Sequence, residues 1–384
     1  MAPDPSASTG EIQPARDQNA TGPAKGKQTV SRYPCARCGA KLEFAPGTMS
    51  LVCRYCGQVN EIAGARPELV EELDYKTYAQ ARQDESAAEA VATIHCNTCA
   101  ATVQQPAHIT SLSCPYCGSN IVSTGASERL IKPNAVLPFV LTRERVITSF
   151  RAWLASRWFA PNALKKQGKL DAALTGLYVP HWTYDASTHS RYTGSRGDAY
   201  YVTVKTGKTT TQVRKVRWTR VSGVVNNKFD DVLVCASRSL TADQARGLEP
   251  WDLKAAVPYS DDYLPGMVAE SYQITLPEGF EHARQIMQER IEAVVCADIG
   301  GDEQQIDNID TAYSNITFKL LLAPVWITAY RYMNRVYNVL VNARTGEVIG
   351  QRPYSAWKIT LFTIMCVFIA GVLLMIVLAM NNGG

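Results

Sequence analysis

Eight cysteines constrain this chain more than any other feature: Cys35, Cys38, Cys53 and Cys56, then Cys96, Cys99, Cys114 and Cys117, both sets spaced C-x2-C-x14-C-x2-C and the second lying sixty-one residues after the first. A spacing that recurs whole at a fixed offset is an internal duplication. Each C-x-x-C pair makes a tight turn that aims two sulfurs inward, and two such turns close a tetrahedral four-thiolate site of the kind that zinc occupies. Gly39, Gly57 and Gly118 directly follow a second cysteine, where positive φ lets backbone N–H groups turn toward sulfur; Ala100 stands at the fourth such position. Redox-active pairs would want a thioredoxin-like βαβ context, which the surrounding sequence lacks. The expectation is two structural Zn2+ ions, with His95 and His108 surplus to the ligand sets. A closed site leaves no position for water, so such an ion folds a small module and does no chemistry.

The remaining cysteines, Cys235, Cys296 and Cys366, are isolated, a split that argues for thiolates kept reduced for metal and against a disulfide framework. With 19% charged residues and a net charge of +4, the chain is not a basic protein whose whole surface attracts phosphate. Residues 31–60 carry Arg32, Arg37, Lys41 and Arg54 against Glu43, which a four-thiolate zinc site would reduce to roughly +1. Residues 94–122 hold no Lys, Arg, Asp or Glu at all. Phosphate binding needs cations, so nucleic-acid binding by the ribbons is the less favoured alternative, resting on the first of them and on Lys25 and Lys27.

The 384 residues divide into a disordered tail (1–30), a first zinc ribbon (31–62), a helical spacer (66–92), a second ribbon (93–124), an α+β domain (132–352) and a transmembrane helix (357–380). The spacer reading rests on its Ala, Glu, Gln and Lys content after Pro67, and it lets the two ribbons stand apart. Within the domain, Val146, Phe150, Trp153, Leu154 and Trp158 fall near helical spacing before Pro161, their Trp residues expected in the core. Residues 177–237 alternate and are rich in Tyr, Val, Thr and Trp, as antiparallel strands are. A second helix is expected over 278–296, then strands from Ile316 to Ile349, giving a largely antiparallel α+β class. "LYVPHW" (177–182) and "LLAPVW" (321–326) share L-x-x-P-x-W, a weak sign of a doubled half-domain.

Ile359 to Met380 is an uncharged apolar run about 33 Å long as a helix, enough to cross a bilayer once. Arg352 and Lys358 precede it and no charge follows, so the positive-inside bias puts the bulk of the chain in the cytoplasm, at the inner membrane.

Other motifs read as ordinary structure. "VKTGKTTT" (204–211) has Val202 where a phosphate-binding loop needs its first Gly and continues as a strand, so it is read as a hairpin turn. "DEQQ" (302–305) without a nucleotide loop carries nothing. His181, Asp185 and His189 would gather on a helix, but on the expected strand each step of four spans about 13 Å. No catalytic pattern stands out, leaving a cryptic active site in the α+β domain as the rival enzyme hypothesis.

The paired ribbons, followed by "VLPF", "GLYVPHWTYDA", "FDDVLVCAS", "PWDL", "TFKLLLAPVW" and "VNARTGEVIG" and then an apolar C-terminal span, resemble a bacterial family of TFIIB-type zinc-ribbon membrane proteins. Its members often carry a primosomal helicase N′ label, which this sequence contradicts by lacking the motor. The resemblance implies a non-enzymatic membrane adaptor whose cytoplasmic partners are SPFH-type (virion-core-like) or phage-shock-type proteins in envelope maintenance.

Overall fold

The computed structural model describes residues 34–62, 70–80, 89–104, 111–122, 126–159, 174–206, 209–332, 335–350 and 354–381. The expected tail, His108, Lys25 and Lys27 lie outside them. The first ribbon is an antiparallel sheet of β1 (Leu42–Phe44), β2 (Ser50–Cys53) and β3 (Val59–Glu61). It does not stand apart. Cys35, Leu42, Phe44, Leu51 and Cys53 share one buried core with Val136, Phe139 and Tyr263 of the α+β domain, and the Phe44 N–H donates to the Pro265 carbonyl at 2.9 Å.

The spacer differs from expectation. Its described part is a short strand, β4 (Leu73–Asp74), a helix of six residues, α1 (Tyr75–Gln80), and residues 89–92, which open a strand of the second ribbon. β4 pairs with the domain, Phe318 opposite Leu73, and Tyr78 packs edge-on against Phe318 at 5.3 Å, so Leu73 and Tyr78 tie the segment down. The second ribbon is also wider than 93–124. β5 (Glu89–His95) pairs with both β6 (Thr102–Gln104) and β9 (Ala126–Leu130), while β7 (Ser111–Ser113) and β8 (Asn120–Val122) form a separate pair. Ile94, Cys96, Val103, Cys114 and Tyr116 are buried in a second core with Leu137, Leu177 and Leu321 of the domain.

The domain consists of two interlocked β-α-β-β halves. The first is β10 (Ala135–Val136), α2 (Arg143–Ser156), β11 (Thr175–Thr206) and β12 (Thr209–Cys235). After α3 (Ala242–Gly247) and β13 (Val257–Pro258), the second is β14 (Val268–Ala269), α4 (Leu276–Ile299), β15 (Glu303–Tyr332) and β16 (Arg335–Asn342), extended by β17 (Val348–Gly350). The two L-x-x-P-x-W segments lie antiparallel on each other, Leu177 opposite Val325 and His181 opposite Leu321. Each half lends its short strand to the other: β10 runs parallel to β15 at Leu321 and Leu322, and β14 parallel to β11 at Leu177 and Tyr178.

The hydrogen bonds repeat the exchange. Trp182 Nε1 donates to the Ile274 carbonyl at 2.9 Å, and Trp326 Nε1 to that of Leu141 at 3.0 Å. The Pro180 carbonyl accepts from Ala236 N–H at 2.9 Å, and the Pro324 carbonyl from Ala343 at 3.0 Å. In an antiparallel strand a residue's N–H and C=O point to one edge. Each proline thus faces its missing N–H toward the outer edge, where one neighbour strand ends and the next begins, and its presence in a central strand costs no ladder bond. The doubled half-domain is therefore present, and "VLVCA" (232–236) against "VLVNA" (339–343) is a second echo of it.

The halves are unequal. α2 has 14 residues and buries Val146, Phe150 and Leu154; α4 has 24 and buries Phe280, Ala283, Met287, Ile291, Val295 and Ile299, one apolar stripe at helical spacing. That stripe covers Trp182, Tyr184, Tyr192 and Phe229 on the long β11–β12–β15 sheet. β15 meets β11 as far as Gly197, and beyond it Asp198–Thr206 and Thr209–Arg217 pair only with each other as a two-stranded arm. Thr206 opposite Thr209 bears out the hairpin reading of "VKTGKTTT".

α5 (Ala356–Asn381) contains the expected apolar run, and its window Trp357–Val377 is wholly unburied and long and apolar enough to cross a membrane. Trp158, expected in the core, is exposed beside it: Lys358 Nζ donates to the Trp158 carbonyl at 3.0 Å and Phe159 packs on Phe362 at 5.5 Å.

Candidate metal centres

The structure brings each predicted cysteine set together, with all sulfurs of a set within 4.8 Å of one another. Cys35 lies 3.4 Å from Cys56 and Cys38 3.5 Å from Cys53; in the second set Cys96 lies 3.5 Å from Cys117 and Cys99 3.6 Å from Cys114. Metal–sulfur bonds of about 2.3 Å in a tetrahedron separate sulfurs by about 3.8 Å, so both sets fit a four-coordinate ion with little adjustment. Each knuckle closes in the same way. The residue after its second cysteine donates its N–H to the carbonyl of the first, Gly39 to Cys35, Gly57 to Cys53, Ala100 to Cys96 and Gly118 to Cys114. All four take positive φ, 71°, 72°, 59° and 71°. Only Ala100 has a Cβ to strain.

The surroundings of the two sets differ. In both sets backbone N–H groups bias one thiol toward thiolate, those of Cys56 and Tyr55 holding Cys53 down to about 6 and those of Cys99 and Thr98 holding Cys96 at about 7 against its burial, while in the second set burial pushes Cys114 up. His95 stays outside the ligand set, with Nδ1 2.8 Å from Thr102 Oγ1. One residue beyond the cysteines was not singled out by its spacing. Glu270, next to β14, is buried, and its carboxylate accepts from Tyr116 of the second ribbon at 2.5 Å, from Ser237 at 2.8 Å and from Ser239 at 2.5 Å. Burial raises it to about 7 against the pull of those hydroxyls. Beside it lies a cavity of about 160 Å³, lined by Gln104 of the ribbon and by Lys132, Tyr259, Asp261 and Ser271 of the domain. Both oxygens of Glu270 are already engaged, which makes it a clamp between the two.

The other candidates resolve as structure. His181 is buried in β11, its Nδ1 3.1 Å from the Val179 carbonyl and its pKa lowered to about 4 by burial, and His189 Nδ1 is 2.8 Å from Asn226 Oδ1. Asp185 shares neither contact: it sits at a bulge in the β11–β12 register, accepts the Asp231 N–H at 2.7 Å, and gathers with Glu72 and Asp230. Burial and the neighbouring Glu72 push it up to about 7. Lys319 Nζ, 3.2 Å from Glu72 and 2.7 Å from Asp231, already supplies the countercharge. "DEQQ" opens β15, with Asp302 accepting the Ala199 N–H at 2.8 Å and Glu303 paired to Arg214 at 2.5 Å.

The chain is similar to the uncharacterized protein YdjG of Bacillus subtilis (strain 168), 24% identical over 339 residues that span 86% of this chain and 92% of that protein. No family model matches the chain. No solved structure matches it.

Proposed function

We propose that this protein is a non-enzymatic adaptor, stapled by two zinc ions, anchored in the inner membrane by α5 with its bulk in the cytoplasm, and presenting its first ribbon to a protein partner. The observation that carries the reading is the outer face of that ribbon. Its four sulfurs are gathered for a closed metal site, yet Met49, Tyr55 and Val59 of the ribbon are exposed. Three large apolar side chains left in water on so small a module offer a partner apolar area to bury. Zinc suits the reading because four thiolates in a tetrahedral set are its structural coordination. The membrane anchor rests on the unburied apolar length of α5, and its orientation on Arg352 and Lys358. The resemblance drawn from the sequence supplies the partner to try first, an SPFH-type protein of the same envelope.

Elemental analysis of the purified protein is expected to give two zinc ions per chain. Recruitment is tested with surface changes, since the cysteines also hold the shared core. Met49→Glu with Val59→Glu should release a tagged SPFH-type partner from the membrane while α5 keeps this chain there. A partner that stays at the membrane as in wild type overturns the adaptor reading for that partner.

A second reading, a membrane-tethered nucleic-acid binder, gains from the two-stranded arm and not from the ribbons. Lys205, Lys215 and Arg217 are exposed on it with Tyr200 and Tyr201, Trp218 and Arg220 are exposed just beyond its base, and a two-stranded ribbon is narrow enough to enter a major groove. If the arm binds duplex, replacing Lys215 and Arg217 by Ala should lower the salt dependence by about one phosphate contact each. A slope unchanged by both sinks it.

A further inference from the structure

The duplication gives each residue of one ribbon a counterpart in the other, and the second knuckles are where the two part. Cys114-Pro115-Tyr116-Cys117 corresponds to Cys53-Arg54-Tyr55-Cys56. The two turns share their closing hydrogen bond and their φ, so both tyrosines leave the metal site along the same local direction. Tyr116 is 3% exposed and donates its hydroxyl to Glu270; Tyr55 is 85% exposed and makes no hydrogen bond among the described residues. One copy therefore displays an occupied plug, and the other the same plug without its socket.

We infer that Tyr55 docks into a pocket on a cytoplasmic protein partner whose floor is a recessed carboxylate and whose rim is acidic, as Tyr116 docks onto Glu270 within the chain. The inference rests on the adaptor reading and adds the chemistry of the partner. Tyrosine combines a large, stiff apolar surface with a terminal donor, so it gains most where the ring is desolvated and the hydroxyl meets a charged acceptor. The rim follows from charge. Where the second ribbon has neutral Thr98 and Pro115 on its knuckles, the first has Arg37 and Arg54, both exposed. Arg54 is held at 2.6 Å by Glu43, while Arg37 has no ion pair among the described residues. An acidic rim complements Arg37 and speeds encounter.

The test uses the full chain in its own membranes, with the photo-crosslinking residue p-benzoylphenylalanine placed at position 55 and, in parallel, at position 116. Position 116 should crosslink within the chain. Position 55 should crosslink to a separate protein, on a peptide that contains Asp or Glu. With that protein purified, Tyr55→Phe and the change of its carboxylate to the amide should each weaken binding about ten- to a hundredfold, and the two together no more than either alone. If Tyr55→Phe binds like wild type while Met49→Glu with Val59→Glu abolishes binding, the apolar adaptor surface stands and the carboxylate socket is wrong. If position 55 crosslinks only to lipid or nucleic acid, or to nothing, both fall.

Discussion

The two ribbons have the same ligand spacing, the same knuckle turns and sulfurs at the same separations, yet they occupy their surroundings in opposite ways. The first completes its own three-stranded sheet and touches the domain by one side, leaving its second knuckle in water. The second divides its strands into two sheets and turns that same knuckle inward, onto Glu270. A metal fixes the inside of such a module but not its outside. The uncharged second knuckle, Cys114 to Tyr116, is accordingly surface spent on the domain, while Arg54 and Tyr55 at the same place in the first ribbon stay in water.

Tyr116→Ala removes a buried ring and takes from Glu270 the donor on one of its two oxygens, and should cost about 3 to 5 kcal/mol of stability. Tyr55→Ala, at an exposed tip, should stay within about 0.5 kcal/mol. Thermal unfolding of the two variants with metal bound measures both; equal losses would mean that the ribbons are embedded alike. Because Cys114 shares a core with Leu137, Leu177 and Leu321, Cys114→Ser should likewise weaken the domain and not the second ribbon alone.

Local rules written in the sequence survived into the fold. The cysteine spacing, the glycines after each knuckle, the hairpin around "VKTGKTTT" and the apolar C-terminal helix each depend on residues near one another in the chain. Long-range choices were not legible. Glu270 and Tyr116 are separated by more than 150 residues, and nothing around either announces the other. β15 begins at Glu303 in the polar run "EQQIDNIDTAYSN" because β11 supplies a ready edge and α4 covers only one face, so Asp307 and Asp310 stand in a strand with their side chains in water. The spacer read as helix because Ala, Glu and Gln favour one, while Leu73 and Tyr78 found the domain first.

Glu270 titrates near 7 in the fold against an ordinary value of 4.5, so between those pH values the folded chain holds a proton that the unfolded chain has lost. Stability from this group is complete below 4.5, falls as pH rises toward 7 and is level above it, a loss on the order of 3 kcal/mol. Glu270→Gln should remove that slope. Comparing variant and wild type across pH 5.5 to 8 cancels the separate effect of acid on the metal thiolates; parallel curves would show that Glu270 is charged in both states.

The smallest effect isolates the knuckle from its setting. Ala100 holds φ at 59°, a conformation that costs a residue with Cβ about 1 kcal/mol and glycine almost nothing. Gly39 holds the same place in the first ribbon at 71°, and a Cβ there would meet nothing within 4 Å, so only the backbone conformation resists it. Ala100→Gly should thus tighten the second site against a competing chelator by roughly fivefold, and Gly39→Ala should loosen the first by a similar factor, a difference of about 1 kcal/mol each way. Were Gly39→Ala to loosen its site while Ala100→Gly changed nothing, the strain at Ala100 would already be carried by the domain around it. The second ribbon would then owe its metal affinity to where it is docked, and the first to its own turn.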